Sequence, residues 1–293
     1  MVNICSGEIE RTTAIGSSGT TQIRSNIAPP SPISQHPLIE LFRSAEVNSF
    51  TSSALAASAL SDNELLLRFE QQGKAAPYRG RHRSYFVGHT GKTTSGVSTN
   101  RREEHLTIAL WSAYRESGFA LPDGTILFPV DYQLPLKSRR DEANAGLGKI
   151  DLFCVEPKGE PWISEVKIHP VRDTPLKALL EALAYCATLD ADIRNLSRES
   201  DDKKRLLLHV VSPKRPHLLI LASAEYWDLC DRAEIRYRWR EALQAVRRRI
   251  ELAFKISVLF VRMDNCRWEM TPSGMPRLIE PPVFNWAIPN TVT

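Results

Sequence analysis

Residues 148–168 read GKIDLFCVEPKGEPWISEVKI, and this stretch carries the clearest fold signal in the sequence. Two apolar segments, Ile150 to Val155 and Trp162 to Ile168, flank the run EPKGEP, which consists of turn-forming residues. This pattern is typical of a β-hairpin. Because alternate side chains of a strand share a face, Glu165 and Lys167 are expected to point to the same side of the second strand.

Asp151 lies at the start of the first strand, so a suitable register would bring it beside Glu165 and Lys167. Carboxylate oxygens are the ligands that Mg²⁺ and Mn²⁺ prefer. A metal there would polarise water and neutralise phosphoryl charge, and the lysine would stabilise negative charge that develops in the reaction. The alternative is an exposed Glu165–Lys167 ion pair, which contributes about 0–1 kcal/mol to stability and has no catalytic role.

The surrounding pattern predicts an α/β core. We expect a central mixed β-sheet flanked by helices, because helical and strand-like segments follow one another in the chain. The predicted helices are Asn100 to Ser117, Leu176 to Leu189 and Arg232 to Phe254, and further strands are Ile126 to Pro129, Tyr132 to Leu136, Leu206 to Val211, Leu218 to Ala222 and Ile256 to Met263. Four segments result: a low-complexity, flexible N-terminal arm (1–60), a short capped helix with a basic Gly-rich stretch (61–100), the core (101–264) and a C-terminal extension (265–293).

This arrangement resembles the PD-(D/E)XK phosphodiesterase superfamily, the restriction-endonuclease-like and RecB-like nucleases. Their pattern is an acidic residue on an opening helix, an aspartate on one strand, Glu-x-Lys on the next, and then a helix. Asp151, Glu165 and Lys167 match the strand residues, and the opening acid falls on Glu103 or Glu104. Glu103 is the narrow preference, because it lies closer to the apolar face of its helix. The stretch Asn100 to Leu106 also resembles bacterial proteins that carry such a core.

The resemblance implies a restriction-endonuclease-like core and a Mg²⁺- or Mn²⁺-dependent nuclease. Asp151, Glu165 and the Val166 carbonyl would bind the metal, Lys167 would activate water, and Glu103 would hold a second metal or a metal-bound water. DNA is favoured over RNA as the substrate. Five further residues are candidates for supporting the site: Glu104, His105, Lys177, Glu181 and Tyr185. An inactive member that uses the same fold to bind nucleic acid or protein remains an alternative.

Several basic residues could contact a nucleic-acid backbone. They are Arg79, Arg81, Arg83, Lys149, Arg236, Arg240 and Arg247. The alternative for these residues is a solvated charged surface. Residues 88–93, GHTGKT, partly match a phosphate-binding loop and suggest a nucleotide-binding module as a second alternative, although Phe86 occupies the position of the first glycine.

Composition limits the classes of protein that fit. The chain has 293 residues, 42% hydrophobic residues and a net charge of +4, as expected of a globular protein that can accept a polyanionic partner. No apolar run approaches the length of a membrane helix, so no membrane partner is expected. The five scattered cysteines favour a reducing, cytoplasmic compartment. A homo-oligomer is compatible with the sequence.

Overall fold

A mixed β-sheet forms the centre of the protein. The structure is a computed structural model and describes residues 36–77, 84–93, 101–137, 146–204 and 207–289. The strands in these residues are β1 (Phe119–Ala120), β2 (Ile126–Pro135), β3 (Lys149–Val155), β4 (Pro161–Lys167), β5 (His217–Ser223), β6 (Val258–Asp264), β7 (Trp268–Met270), β8 (Pro276–Leu278) and β9 (Val283–Trp286). Seven of them pair in the order β1-β2-β3-β4-β5-β6-β9, while β7 and β8 form a separate ribbon. The pairs β4-β5 and β5-β6 are parallel, and the other pairs are antiparallel.

Helices cover both faces of the sheet. They are α1 (Pro37–Arg43), α2 (Ala45–Asn48), α3 (Phe50–Ala59), α4 (Asp62–Lys74), α5 (Arg102–Tyr114), α6 (Pro175–Asp190), α7 (Ile193–Asp202), α8 (Ala224–Tyr237) and α9 (Trp239–Phe254). The larger apolar core joins α1, α4, α6 and α9 to one face of the sheet, and α5 packs against the other face. None of the helices in the described residues is long and apolar enough to cross a membrane.

Strand β4 lies between these two layers, and all seven of its residues are buried. The chain then returns through α6 to the parallel strand β5. Helix α6 begins where the Thr174 hydroxyl accepts a hydrogen bond from the Lys177 N–H at 3.1 Å, and Pro175 occupies its first turn. This cap fixes the start of α6 near the C-terminal end of β4.

The N-terminal region differs from the prediction of a flexible arm. Residues 36–60 include α1, α2 and α3, and Leu38, Ile39 and Phe42 are at most 3% exposed in the larger core. These apolar residues recur at helical spacing and bury against α6, so the Ser- and Ala-rich composition around them does not prevent packing. Residues 1–35 lie outside the described residues. The predicted cap of α4 is confirmed, because the Ser61 hydroxyl accepts a hydrogen bond from the Glu64 N–H.

The predicted strand from Leu206 to Val211 does not form in the described residues 207–216. Its backbone is satisfied elsewhere: the Val211 N–H donates to the Ser200 hydroxyl, and the Val211 carbonyl accepts from the Ser197 hydroxyl. Because α7 supplies both partners of Val211, the backbone groups of this residue need no neighbouring strand.

Two further boundaries differ from the prediction. The predicted helix from Arg232 to Phe254 is broken at Arg238, which has a left-handed φ of 49° between α8 and α9. The Glu234 carboxylate accepts a hydrogen bond from the Arg240 N–H and so stabilises the start of α9. The core also extends past residue 264, because β9 pairs with β6 and belongs to the central sheet.

Candidate active site

The candidate site lies where β3 and β4 stop pairing. Their last paired residues are Leu152 and Ser164, and the next residue of β3 is Asp151. Its side chain takes over the hydrogen bonds there: Oδ2 accepts from the Val166 N–H and Oδ1 accepts from the Gln133 amide, both at 3.0 Å. Since a carboxylate oxygen has two acceptor positions, each oxygen of Asp151 keeps one for another ligand.

Glu165 and Lys167 lie on the same side of β4, which confirms the predicted alternation. Lys167 Nζ donates to Glu165 Oε1 at 2.6 Å, and the two residues are only 5% and 3% exposed. The same ammonium group lies 3.4 Å from Glu181 Oε2 and 3.4 Å from Asp173 Oδ2. Lys167 therefore links β4 to α6 and to the connection that precedes α6. The sequence pattern does not identify Asp173, because that residue lies in the connection rather than on a strand or helix.

The structure brings Glu103, rather than Glu104, to this group. Glu103 Oε1 is buried and has no hydrogen-bond partner among the described residues. Burial raises the pKa of the Glu103 carboxyl group, while Lys167 and a hydrogen bond from the Ile168 backbone act to lower it. Glu104 instead lies 3.4 Å from Arg101 Nη1. His105, another residue proposed to support the site, is 3% exposed and lies in the core.

The pKa shifts show how crowded with negative charge the site is. Burial raises the pKa of Asp151, Glu165 and Glu103, and neighbouring carboxylates raise each pKa further while Lys167 lowers it. Burial alone would lower the pKa of Lys167, but the surrounding carboxylates, Glu165 foremost, raise it well above its usual value. Lys167 is therefore a cation at neutral pH, and it does not neutralise its neighbours fully.

Helix α6 positions the group through the residues that the sequence marked as supporting. Tyr185 Oη donates to Glu181 Oε1 at 2.9 Å, and Lys177 Nζ donates to Asp173 Oδ1 at 2.7 Å. Tyr185 also needs the glycine at position 148, since a Cβ atom there would lie 2.3 Å from its hydroxyl oxygen. The contact explains why a glycine precedes β3.

Gln133 is a second residue that the sequence pattern does not identify. It has a φ of 50°, in the left-handed region that residues other than glycine rarely adopt. The β2-β3 pairing skips Gln133 and Asp151 but continues on both sides of them. This local distortion directs the Gln133 amide to the Asp151 carboxylate, whose other oxygen accepts from the Val166 N–H of β4.

Of the predicted nucleic-acid contacts, Lys149 lies nearest to the site in the chain. It is exposed and stands two residues before Asp151 at the start of β3. Arg79, Arg81 and Arg83 lie outside the described residues. Lys149 is thus the one predicted contact with a described position beside the carboxylates.

The arginines of α8 and α9 make other contacts. Arg236 is exposed beside the Tyr237 ring, and Arg240 forms an ion pair with Asp231. Arg247 is 5% exposed; it donates to a carboxylate of α9 at 3.0 Å and to the Pro289 carbonyl at 3.3 Å. These contacts hold the Arg247 guanidinium group in the protein interior, so this conformation does not present it to a nucleic acid.

Residues 88–93 do not form the strand–loop–helix arrangement of a phosphate-binding loop. The described segment 84–93 contains neither a strand nor a helix, and the Gly91 N–H donates to the Tyr132 hydroxyl. The His89 ring centroid lies 4.2 Å from the Tyr132 ring centroid in a tilted arrangement, and His89 Nε2 lies 3.5 Å from Asp131. Burial raises the pKa of Asp131 to about 7. The second alternative, a nucleotide-binding module, gains no support from this geometry.

A second group of potential metal ligands lies at the other end of the hairpin. Ligand atoms of Glu156, Glu160 and His217 all lie within 4.8 Å of one another. However, His217 Nδ1 accepts a hydrogen bond from the Ser257 N–H at 2.7 Å. A neutral imidazole that accepts at Nδ1 carries its proton at Nε2, so the nitrogen that faces Glu160 has no lone pair for a metal.

The first site differs in two ways: its carboxylates keep unused acceptor positions, but they are more widely spaced, since Glu156, Glu160 and His217 are the one group of three in the described residues whose ligand atoms lie within 4.8 Å of one another. The buried Glu103 Oε1 lacks a donor, Asp151 retains unused acceptor positions, and the carboxylates outnumber the nearby ammonium groups. The Val166 N–H faces Asp151, and the carbonyl of a strand residue points to the same side as its N–H. If the protein binds Mg²⁺ or Mn²⁺ here, Asp151, Glu165, Glu103 and the Val166 carbonyl are the groups that would hold it, after their oxygens move closer together.

The comparisons with known proteins add no further constraint. No family model, curated protein or solved structure matches this chain. The chemistry of the site rests on the geometry and charge of its own residues.

Proposed function

We propose that the protein is a metal-dependent nuclease that hydrolyses phosphodiester bonds, with DNA favoured over RNA. The observation that carries the proposal is the position of Asp151 beside β4, where Glu165 and Lys167 share one side of the strand. The chain order α5, β3, β4, α6, with Glu103 on α5, also agrees with the resemblance to the PD-(D/E)XK superfamily.

Each residue has a distinct role in this proposal. Asp151 and Glu165 supply the carboxylates that hold the metal, and Gln133 keeps Asp151 oriented toward it. Bound Mg²⁺ would lower the pKa of water and neutralise charge on the phosphoryl oxygens. Lys167 remains an ammonium group that orients the attacking water by donating to it and stabilises negative charge at the phosphate. Glu181, held by Tyr185, keeps Lys167 in place.

The test is a cleavage assay on plasmid, linear duplex and single-stranded DNA and on RNA, with Mg²⁺, Mn²⁺ or EDTA. Asp151→Ala and Lys167→Ala should each lower metal-dependent cleavage by at least about a hundredfold. Glu160→Gln and Lys214→Ala, at the far end of the hairpin, are the matched controls and should cleave like the unmodified protein. Thermal unfolding would show that all four variants are folded. Full activity in both site variants would overturn the proposal.

One observation favours a second candidate, an inactive protein of this fold that binds nucleic acid. Glu165 and Lys167 are almost fully buried and already paired, as in a structural ion-pair network. This candidate predicts metal-independent DNA binding that survives Lys167→Ala, with no cleavage under any condition. Electrophoretic mobility shifts in EDTA, run beside the cleavage assay, separate the two.

A further inference from the structure

A pocket of about 370 Å³ opens beside the candidate active site. Two of its lining residues are chain neighbours of the site: Arg102 directly precedes Glu103, and Ile168 directly follows Lys167. The Arg102 guanidinium donates to the His169 carbonyl at 3.3 Å, which ties the start of α5 to the end of β4 on the wall of the pocket. Its volume is in the range of small-ligand sites, and it adjoins the residues proposed to cleave phosphodiesters.

The pocket combines unneutralised cations with an aromatic ring. The Arg102 guanidinium lies 5.5 Å from the centroid of the Trp268 ring. Arg267, which precedes Trp268 in the chain, also lines the pocket. Neither arginine has a carboxylate ion-pair partner among the described residues. Glu225 is the one acidic residue in the lining. Two arginines against one carboxylate leave the pocket with an excess of positive charge.

This chemistry is that of a nucleotide rather than of a simple anion. Bases stack on aromatic rings and on arginine guanidinium planes, and arginine binds phosphate oxygens through parallel hydrogen bonds. A free phosphate would use the arginines but would make no contact with the indole ring, whereas a base can stack on the ring system that Arg102 and Trp268 form. A base within a duplex is already stacked on its neighbours and cannot reach such a pocket.

We propose that this pocket binds one unpaired nucleotide of the nucleic-acid substrate, with its base on the Arg102–Trp268 pair and its phosphate at Arg267. The inference rests on the proposed nuclease function and narrows it to substrates with single-stranded or extruded nucleotides next to the cleaved bond. Trp268 and Arg267 then determine specificity without contacting the reacting phosphate.

The test measures binding in EDTA, where no cleavage occurs. Fluorescence anisotropy would compare a single-stranded oligonucleotide, a duplex with one bulged nucleotide and a blunt duplex. We expect the first two to bind at least about fivefold more tightly than the third. Trp268→Ala and Arg267→Ala should each remove this preference, and Trp268→Phe should restore most of it. Arg115→Ala is the matched control, because Arg115 similarly covers an indole ring, that of Trp111, at 4.8 Å.

A 2-aminopurine base in the bulge provides a second readout, since stacking on Trp268 should quench its fluorescence in the unmodified protein and not in Trp268→Ala. Equal affinity for the three probes, or a preference unchanged in both Trp268→Ala and Arg267→Ala, would overturn the inference. The Mg²⁺ cleavage assay is run on the same probes. The protein could show no cleavage but a binding preference that both variants lose. That outcome would contradict the nuclease proposal and support the nucleotide pocket.

Discussion

The two ends of the β3-β4 hairpin each carry a group of acidic side chains, but the two groups differ in how their atoms are occupied. At the turn end, Lys214 and His217 face the two oxygens of Glu160, and the Trp162 indole N–H donates to Glu156. At the open end, a buried oxygen of Glu103 has no donor among the described residues. A group of acids therefore indicates a cation site only where the protein leaves it unsatisfied.

The pKa shifts express the same contrast with opposite signs. At the turn end, the ion pair with Lys214 lowers the pKa of Glu160. At the open end, burial raises the pKa of Glu165 and Asp151 in spite of Lys167. The first group is stable as it stands. The second is destabilised by its own charge, which a bound cation would relieve, as is expected of functional sites.

The largest expected effect is on metal binding. Mn²⁺ at a hundredfold excess over its dissociation constant should stabilise the protein by about 2.7 kcal/mol, measured as a rise in the thermal unfolding temperature. Asp151→Ala should abolish this rise, and Glu160→Gln should leave it intact. If instead Glu160→Gln lost the rise and Asp151→Ala kept it, the contrast between the two ends would be wrong, and the metal site would lie at the turn end.

The next effect tests how tightly the open end is packed. Gly148→Ala would place a Cβ atom against the Tyr185 hydroxyl and should destabilise the fold by about 1–3 kcal/mol, measured by chemical denaturation. The double variant with Tyr185→Phe should recover part of this loss, because the closest contact is with the hydroxyl oxygen. If Tyr185→Phe gave no recovery, the cost would have another origin.

The sequence predicts the open end well where strand periodicity decides the outcome. Alternation places Glu165 and Lys167 on one side of β4, and the glycine and proline residues of the turn predict the hairpin. The sequence pattern does not predict Asp173 or Gln133, because both residues reach the site through local backbone geometry that periodicity does not encode. The choice between Glu103 and Glu104 stays narrow in the sequence, because adjacent helical residues differ by only about 100° in direction.

The errors have equally local causes. One long charged helix would present Arg247 to nucleic acid, but the helix is broken at Arg238 and Arg247 is buried on α9. The strand expected from Leu206 to Val211 was replaced by hydrogen bonds to serines of α7. In both cases a tertiary contact overrode the local pattern.

A smaller effect separates the two adjacent glutamates at the start of α5. Glu103→Gln removes a buried charge and should stabilise the metal-free protein by about 1 kcal/mol while lowering metal affinity. Glu104→Gln removes a surface ion pair and should change stability by less than about 0.5 kcal/mol. Chemical denaturation with and without Mn²⁺ measures both. If the two substitutions had equal effects, the unpartnered oxygen of Glu103 would not distinguish that residue from Glu104.

The smallest effect concerns pH and tests the turn end. Burial lowers the pKa of His217 below its usual 6.5, so the unfolded chain binds a proton more readily than the folded chain. Its contribution to stability should be complete above pH 6.5 and should be lost as the pH falls through the lowered folded value. His217→Asn keeps an acceptor for the Ser257 N–H but cannot titrate, so the difference between the two stability curves isolates this residue.

Exposed His169→Asn is the control. If the His217→Asn curve paralleled that of the unmodified protein, His217 Nδ1 would not be held as an acceptor, and the turn end would regain a metal ligand.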